Sequence, residues 1–173
     1  MIIRPSMSGI FEKHVETPLD ISGMPTARLA YGLRLLRAAY TGAAIRVRRD
    51  SDSTEADVYF YNQKEVTLNS LTSAGSTLRD FVGSNSAFVT KWYNQSGNTS
   101  TQQGGGSWSG YPTAPDAVQT TTSRQPELIS SGVFNRGLKC VTSGGYSASG
   151  DYLQVNQYRL PNTDDNFSLV MAF

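Results

Sequence analysis

The chain is poor in the residues that build most enzyme centres. It has one cysteine, Cys140, and one histidine, His14, in 173 residues. A lone cysteine excludes an intrachain disulfide, and in Leu138-Lys139-Cys140-Val141 it reads as a small buried hydrophobe rather than a nucleophile. His14 and Cys140 alone cannot build a zinc site, and no metal or cofactor is expected. Gly104-Gly105-Gly106 lacks the Gly-Lys-Ser/Thr ending of a phosphate loop. Asp50, Asp52 and Asp57 do not have the spacing of an EF-hand loop, and an Asx turn accounts for Asp50-Ser51-Asp52. No apolar run approaches the length of a membrane span, and Met1 to Ser6 opens no signal-peptide core, so no membrane insertion is expected. A net charge of +1 gives no electrostatic case for nucleic acid. The basic Arg46-Val47-Arg48-Arg49 group is split between two faces by strand alternation and lies beside Asp50 and Asp52, which suits a carboxylate-paired strand end.

What is present favours β structure. Aromatic residues make up 10% of the chain, charged residues only 17%, and there are 16 glycines, a balance typical of a turn-rich domain. Residues 1–24 carry Pro5, Pro18, Gly9 and Gly23 with no sustained apolar period, and read as an arm that needs a partner. Beyond it, Leu29, Leu33, Leu36 and Tyr40 follow a helical stripe from a cap at Thr26 to a stop at Gly42, and a second, weaker helix fits Ser70 to Val82, ended by Gly83. Short runs at 57–61, 65–68, 137–141, 152–155 and 167–173 read as antiparallel strands. The stretch from Gly97 to Arg124 reads as one long polar loop, a length that compact domains usually reserve for function.

Two further runs are more specific. Ile45 and Val47 alternate with Arg46 and Arg48 before Arg49-Asp50-Ser51-Asp52. Phe88-Val89-Thr90-Lys91-Trp92-Tyr93 then ends in the polar corner Asn94-Gln95-Ser96-Gly97-Asn98. Alternation puts Phe88, Thr90 and Trp92 on one face, which assigns Trp92 to the core and Tyr93 to the corner.

With the preceding Tyr40-Thr41-Gly42, these runs resemble the opening half of the catalytic domain of α-L-arabinofuranosidase B, a glycoside hydrolase, and the related modules of many bacteriophage tail and virion proteins. The landmarks are Tyr40, Gly42, Arg48, Arg49, Asp52, Trp92, Tyr93, Asn94, Gln95, Ser96 and Gly97, with Asn94 where the family usually has Asp. The phage-type version continues with motifs matched here by Gln125-Pro126-Glu127-Leu128, Asp151-Tyr152-Leu153 and the apolar run 167–173. The resemblance implies a mainly β fold: a concanavalin A-like, laminin-G-like β-sandwich over residues 25–173, with one or two short helices and an extended N-terminal arm. The sandwich is incomplete if the polypeptide continues past Phe173. The apolar ending would otherwise be a central strand or a pairing edge for another subunit.

For function the resemblance implies a bacteriophage structural protein of the tail fibre, baseplate or capsid surface, assembled into a virion in the host cytoplasm. Residues 1–24 would dock to other virion proteins, and the module would form a homo-oligomer. A host surface glycan would meet the loop aromatics Trp108, Tyr111 and Tyr146, since exposed rings stack on sugar faces. The alternative is a glycosidase. Retaining enzymes of that kind need two carboxyl groups about 5–5.5 Å apart, and in the arabinofuranosidases both lie beyond the matched region, so no residue of this chain inherits a catalytic role.

Overall fold

The computed structural model describes residues 17–23, 27, 29–97, 116–140, 150–155 and 169–172. The chain is mainly β. An antiparallel sheet of six strands has the order β3 (Glu55–Val58), β2 (Ile45–Arg49), β4 (Ala87–Trp92), β6 (Glu127–Ser130), β7 (Val133–Lys139), with the short β5 (Ala117–Val118) also paired to β4. One α-helix, α1 (Leu78–Val82), and a 3₁₀ turn at Thr122–Arg124 complete the described elements. Outside this sheet, β1 (Leu29–Gly32) pairs in parallel with β8 (Leu169–Ala172), an exception to the antiparallel expectation.

Within the helical stripe at 29–40, Leu29–Gly32 is a strand and the remainder an irregular turn. All four residues of β1 are buried. A strand covered on both sides shows no polar face, so its apolar residues match a helical period as easily as a strand period. Leu29, Tyr31 and Leu33 enter the core formed by the six-stranded sheet, and Tyr31 meets Trp92 with ring centroids 6.1 Å apart. Ala27, Ala30 and Leu36 form a second small cluster on the other side, against which Leu19 packs. The end of the N-terminal arm is thereby fastened to the body: the Leu19 N–H donates to the Leu36 carbonyl at 2.9 Å, and the Ala38 N–H donates to the Asp20 carboxylate at 2.6 Å.

The second helix is shorter than its apolar pattern. Residues 70–77 are held in turns and isolated bridges, Val58 to Thr72 and Leu71 to Thr77, and Leu71 is exposed. The start is set by Thr77, whose hydroxyl accepts from the Asp80 N–H at 3.2 Å and donates to the Asp80 carboxylate at 2.6 Å. This reciprocal cap begins the helix at Leu78. Gly83 ends it at φ +60°, as expected, with its N–H returning to the Arg79 carbonyl. The expected strands at 65–68 and 152–155 are reduced to bridges at Glu65 and Gln154. The expected loop ending at Arg124 contains β5 and the 3₁₀ turn, while β7 begins at Val133 rather than Gly137. Cys140 ends β7 exposed rather than buried, because β7 is an edge strand with little cover. Partial desolvation by the surrounding protein and the charge of Asp151 raise its thiol pKa, which disfavours the reactive thiolate.

β4 contains a bulge that changes which residues face the core. Lys91 pairs with Arg46 and Val89 with Val47, so Thr90 has no opposite residue. The extra residue shifts the alternation by one. Ala87 and Val89 are fully buried in the same core as Trp92. Phe88 therefore belongs to the opposite face, contrary to the simple period-2 reading, and the Arg48 guanidinium lies over its ring at 5.1 Å. Trp92 is a core residue, 4% exposed. Trp92→Ala is expected to destabilise the fold by about 3–5 kcal/mol through the cavity it leaves, read as a lower thermal midpoint. An unchanged midpoint would refute the packing described here.

Candidate functional site

The polar corner after β4 is where the chain leaves one layer for the other. The Tyr93 N–H still donates to the Ala44 carbonyl beside β2, at 3.0 Å, whereas the Gln95 N–H donates to the Ala30 carbonyl of β1, at 2.8 Å. The Asn94 side chain takes part in the crossing. Its Oδ1 accepts from the Ala30 N–H at 3.0 Å and from the Ser96 N–H at 2.9 Å. An aspartate here would accept the same two bonds, so the Asn in place of Asp preserves this acceptor geometry. Its Nδ2 is buried without a hydrogen-bond partner.

Gln95 is fully buried and uses both ends of its amide. Oε1 accepts from the Leu36 N–H at 2.8 Å, and Nε2 donates to the carbonyls of Gly32 at 2.8 Å and Arg34 at 3.3 Å. Gly32 ends β1 and Arg34 and Leu36 follow it in an irregular turn, so one amide side chain serves backbone groups on both sides of that strand end. Gly97 stands at φ +66°, and a Cβ there would come within 2.8 Å of the Arg37 guanidinium. Gly42 has a different role from a helix stop. A Cβ there would lie 2.6 Å from the Tyr40 hydroxyl, which donates to the Ala43 carbonyl at 2.8 Å. The Tyr-Thr-Gly landmark is thus a folded-back phenol with room made for it.

Around the corner's outer side stand two phenols, two carboxylates and two cations. Asp57 Oδ1 accepts from the Tyr93 hydroxyl at 2.6 Å and from Arg46 Nε at 2.7 Å, and its Oδ2 accepts from Arg46 Nη2 at 3.0 Å. Asp116, just before β5, accepts from the Asn94 N–H at 3.0 Å, and Lys91 Nζ lies 3.9 Å from its carboxylate and over the Tyr93 ring. The Arg46 hydrogen bonds hold Asp57 below the usual carboxylate range, against the effect of its partial burial. Burial, reinforced by the charges of Asp116 and Asp57, pushes Tyr40 up to about 12. Burial and the bond to Asp57 likewise raise Tyr93. At neutral pH this set therefore offers an ionised Asp57 and protonated phenols, which suits hydrogen bonding to hydroxyl-bearing groups.

A second polar layer covers the sheet's other face. Arg48 is buried, and its Nε donates to Gln125 Oε1 at 2.8 Å. Gln125 Nε2 donates to the Gln119 carbonyl at 3.1 Å, and Gln119 Nε2 donates to the Tyr152 carbonyl at 3.1 Å. The Gln125-Pro126 and Asp151-Tyr152-Leu153 landmarks, distant in sequence, thus meet through Gln119, and the Tyr152 N–H donates to the Arg124 carbonyl beside them at 3.0 Å. Arg49 pairs with Asp52 and lies over the Phe81 ring at 4.8 Å, fastening the end of β2 to α1. The Asp52 carboxyl, hydrogen-bonded by Arg49 and the Thr54 N–H, is lowered well below its usual range.

Trp108, Tyr111 and Tyr146 lie outside the described residues. The landmark residues Tyr40 to Gly97 fall into two groups. Tyr40, Gly42 and Tyr93 to Gly97 build the corner, while Arg48, Arg49 and Asp52 fasten the opposite face and α1. Sequence reading named Asp57 only as a rejected calcium ligand and Gln125 only within a landmark motif, and it missed Asp116 and Gln119. Asp57 carried a signal, since it is directly opposite Arg46 in the hairpin; Asp116 carried none, because it arrives at the end of a long polar segment. Among the described residues no group of three or more His, Cys, Asp or Glu could hold a metal ion. Compared with protein-family models, with curated proteins and with solved structures, the chain gives no match.

Gln95→Ala is expected to leave three backbone groups without a partner and to cost about 4 kcal/mol in urea unfolding. Gln95→Glu gives a pH-dependent test. Its ionised carboxylate would be buried facing the Gly32 carbonyl, so its folded-state pKa rises. The stability it retains is present at low pH and lost as pH rises through that raised value. The gap to the parent protein should therefore narrow from about pH 8 to pH 5, whereas a constant gap would contradict the buried donor geometry. For Asp57 the sign is reversed. Its depressed pKa contributes stability above the unfolded value, about 3.9, that is lost as pH falls through the folded value. Asp57→Asn should cost about 1 kcal/mol at neutral pH and flatten the acid limb of a stability profile.

Proposed function

We propose that the chain is a structural component of a bacteriophage virion, a tail-fibre, baseplate or capsid-attached protein built on a concanavalin A-like sandwich. The observation that carries this reading is how the corner spends its polar groups. Gln95, Asn94 and Asp57 bond to backbone and to neighbouring side chains, so the landmark residues act as fasteners of a scaffold rather than as a set aimed at a reacting atom. The crossing of β4 from β2 to β1 supports the sandwich, in which strands change layers at corners. The resemblance to phage modules supplies the virion context. In this reading the N-terminal arm docks to other virion proteins, copies of the module associate, and the protein is assembled in the host cytoplasm. A host glycan would meet the loop bearing Trp108 and Tyr111, with Tyr146 nearby in function.

Because Leu19 and Asp20 are fastened to the body, removing residues 1–16 separates docking from folding. The shortened protein is expected to fold with the parent's thermal midpoint and to be missing from assembled particles. Normal incorporation would overturn the docking role.

One observation favours the second reading, a glycosidase completed by residues outside this chain: Asp57 and Asp116 both lie close enough to act electrostatically on Tyr40 and Tyr93. Against it, every carboxyl group among the described residues with a displaced pKa is displaced downward, as for Asp57, Asp52, Glu127 and Asp20, whereas a general acid needs a raised one. The structural reading expects no release of a chromogenic aglycone from an arabinofuranoside. Turnover abolished by Asp57→Asn or Asp116→Asn would reverse the order of the two readings.

A further inference from the structure

Five of the described cations are paired with carboxylates. Arg46, Arg48, Arg49, Lys91 and Lys139 each have a carboxylate within 4.0 Å. Among the described cations without such a pair, three arginines share one cleft. Arg34 follows β1, Arg79 lies in α1 and Arg136 lies in β7, and all three line an open cleft of about 840 Å³. Among the described residues their guanidinium groups have no hydrogen-bond or ion-pair partner, although Glu65 lines the same cleft. All three arginines are exposed, and guanidinium groups from three elements lining one cleft give it a positive potential that favours an anion.

The backbone at Arg136 is a second, independent observation. It is one of the few non-glycine residues at positive φ, +56°. It also stands where the pairing of β6 with β7 is interrupted, between Ile129 opposite Phe134 and Glu127 opposite Lys139. A long side chain pays a conformational penalty in that region, and a bulge redirects a side chain that regular alternation would place elsewhere. Here the redirected residue is one of the three unpaired arginines.

We infer that this cleft binds an acidic saccharide whose carboxylate groups seat against Arg34, Arg79 and Arg136. Three guanidinium groups on three separate elements suit a ligand with charges repeated along its length better than one small anion. A carboxylate matches the planar guanidinium fork. Phe134 offers an apolar surface for a sugar face, and the Asn69 amide offers donors and an acceptor for ring hydroxyls. Nucleic acid is the poorer fit: the whole chain carries a net charge of only +1, and Glu65 stands inside the cleft. The proposed contacts do not depend on the virion reading.

The test is a calorimetric titration of the whole chain at low salt with an oligomer of six galacturonate residues. Parallel titrations use its methyl-esterified form, inorganic phosphate, and a single-stranded oligodeoxynucleotide of equal charge. The expected result is binding of the free acid that weakens about tenfold or more in Arg136→Ala and in Arg79→Ala, each charge-assisted contact being worth roughly that factor. Binding should strengthen in Glu65→Gln and be unchanged in Trp108→Ala. Because the Arg79 and Arg136 guanidinium groups have no hydrogen-bond or ion-pair partner among the described residues, matching thermal midpoints will separate lost binding from lost structure. Absence of binding, equal binding of the methyl ester, insensitivity to both arginine substitutions, or tighter binding of phosphate or of the oligonucleotide would each overturn the proposal. Loss of binding in Trp108→Ala alone would move the glycan site to the loop and overturn the cleft assignment.

Discussion

The buried amide of Gln95 joins the two layers. β4 pairs with β2 up to Tyr93, and two residues later the same chain lies against β1. Between those points the backbone must leave one ladder and enter another, and each N–H or carbonyl left between them would be buried without a partner. Gln95 removes the largest part of that cost by accepting from Leu36 and donating to Gly32 and Arg34, while Asn94 accepts from Ala30. A side chain of this length that both donates and accepts is needed, because the groups it serves include an N–H and two carbonyls. The close contact of Tyr31 with Trp92 depends on β1 being held at that distance from the sheet.

Electrostatics follows a different logic on the two sides of the molecule. At the corner and along the ends of β2, charges are matched locally: Arg46 with Asp57 and Arg49 with Asp52. Such pairs add little stability individually where they are exposed, but they fix the direction of long side chains and hold nearby carboxyl groups ionised. Tyr93 takes advantage of this, since the carboxylate that Arg46 positions also accepts its hydroxyl. The cleft of Arg34, Arg79 and Arg136 is the opposite case, with cations brought together from three elements and left unmatched.

The sequence by itself determined the β-rich class, the strands at 45–49 and 87–92, the turn at Asp52 and the helix stop at Gly83. Each rests on local chemistry: alternation, an Asx side chain bonding its own backbone, a glycine at positive φ. Tertiary structure decided the rest. The stripe from Leu29 to Tyr40 is a strand followed by a turn because β1 is covered on both faces, and a fully covered segment carries no polar side from which a period can be read. Phe88 and Val89 exchange faces because of one extra residue at Thr90, which depends on how two strands align. The corner residues could be recognised as a polar turn, but not as a clasp. Gln95 reaches partners some sixty positions earlier in the chain, and only folding determines which backbone groups arrive there without a hydrogen bond.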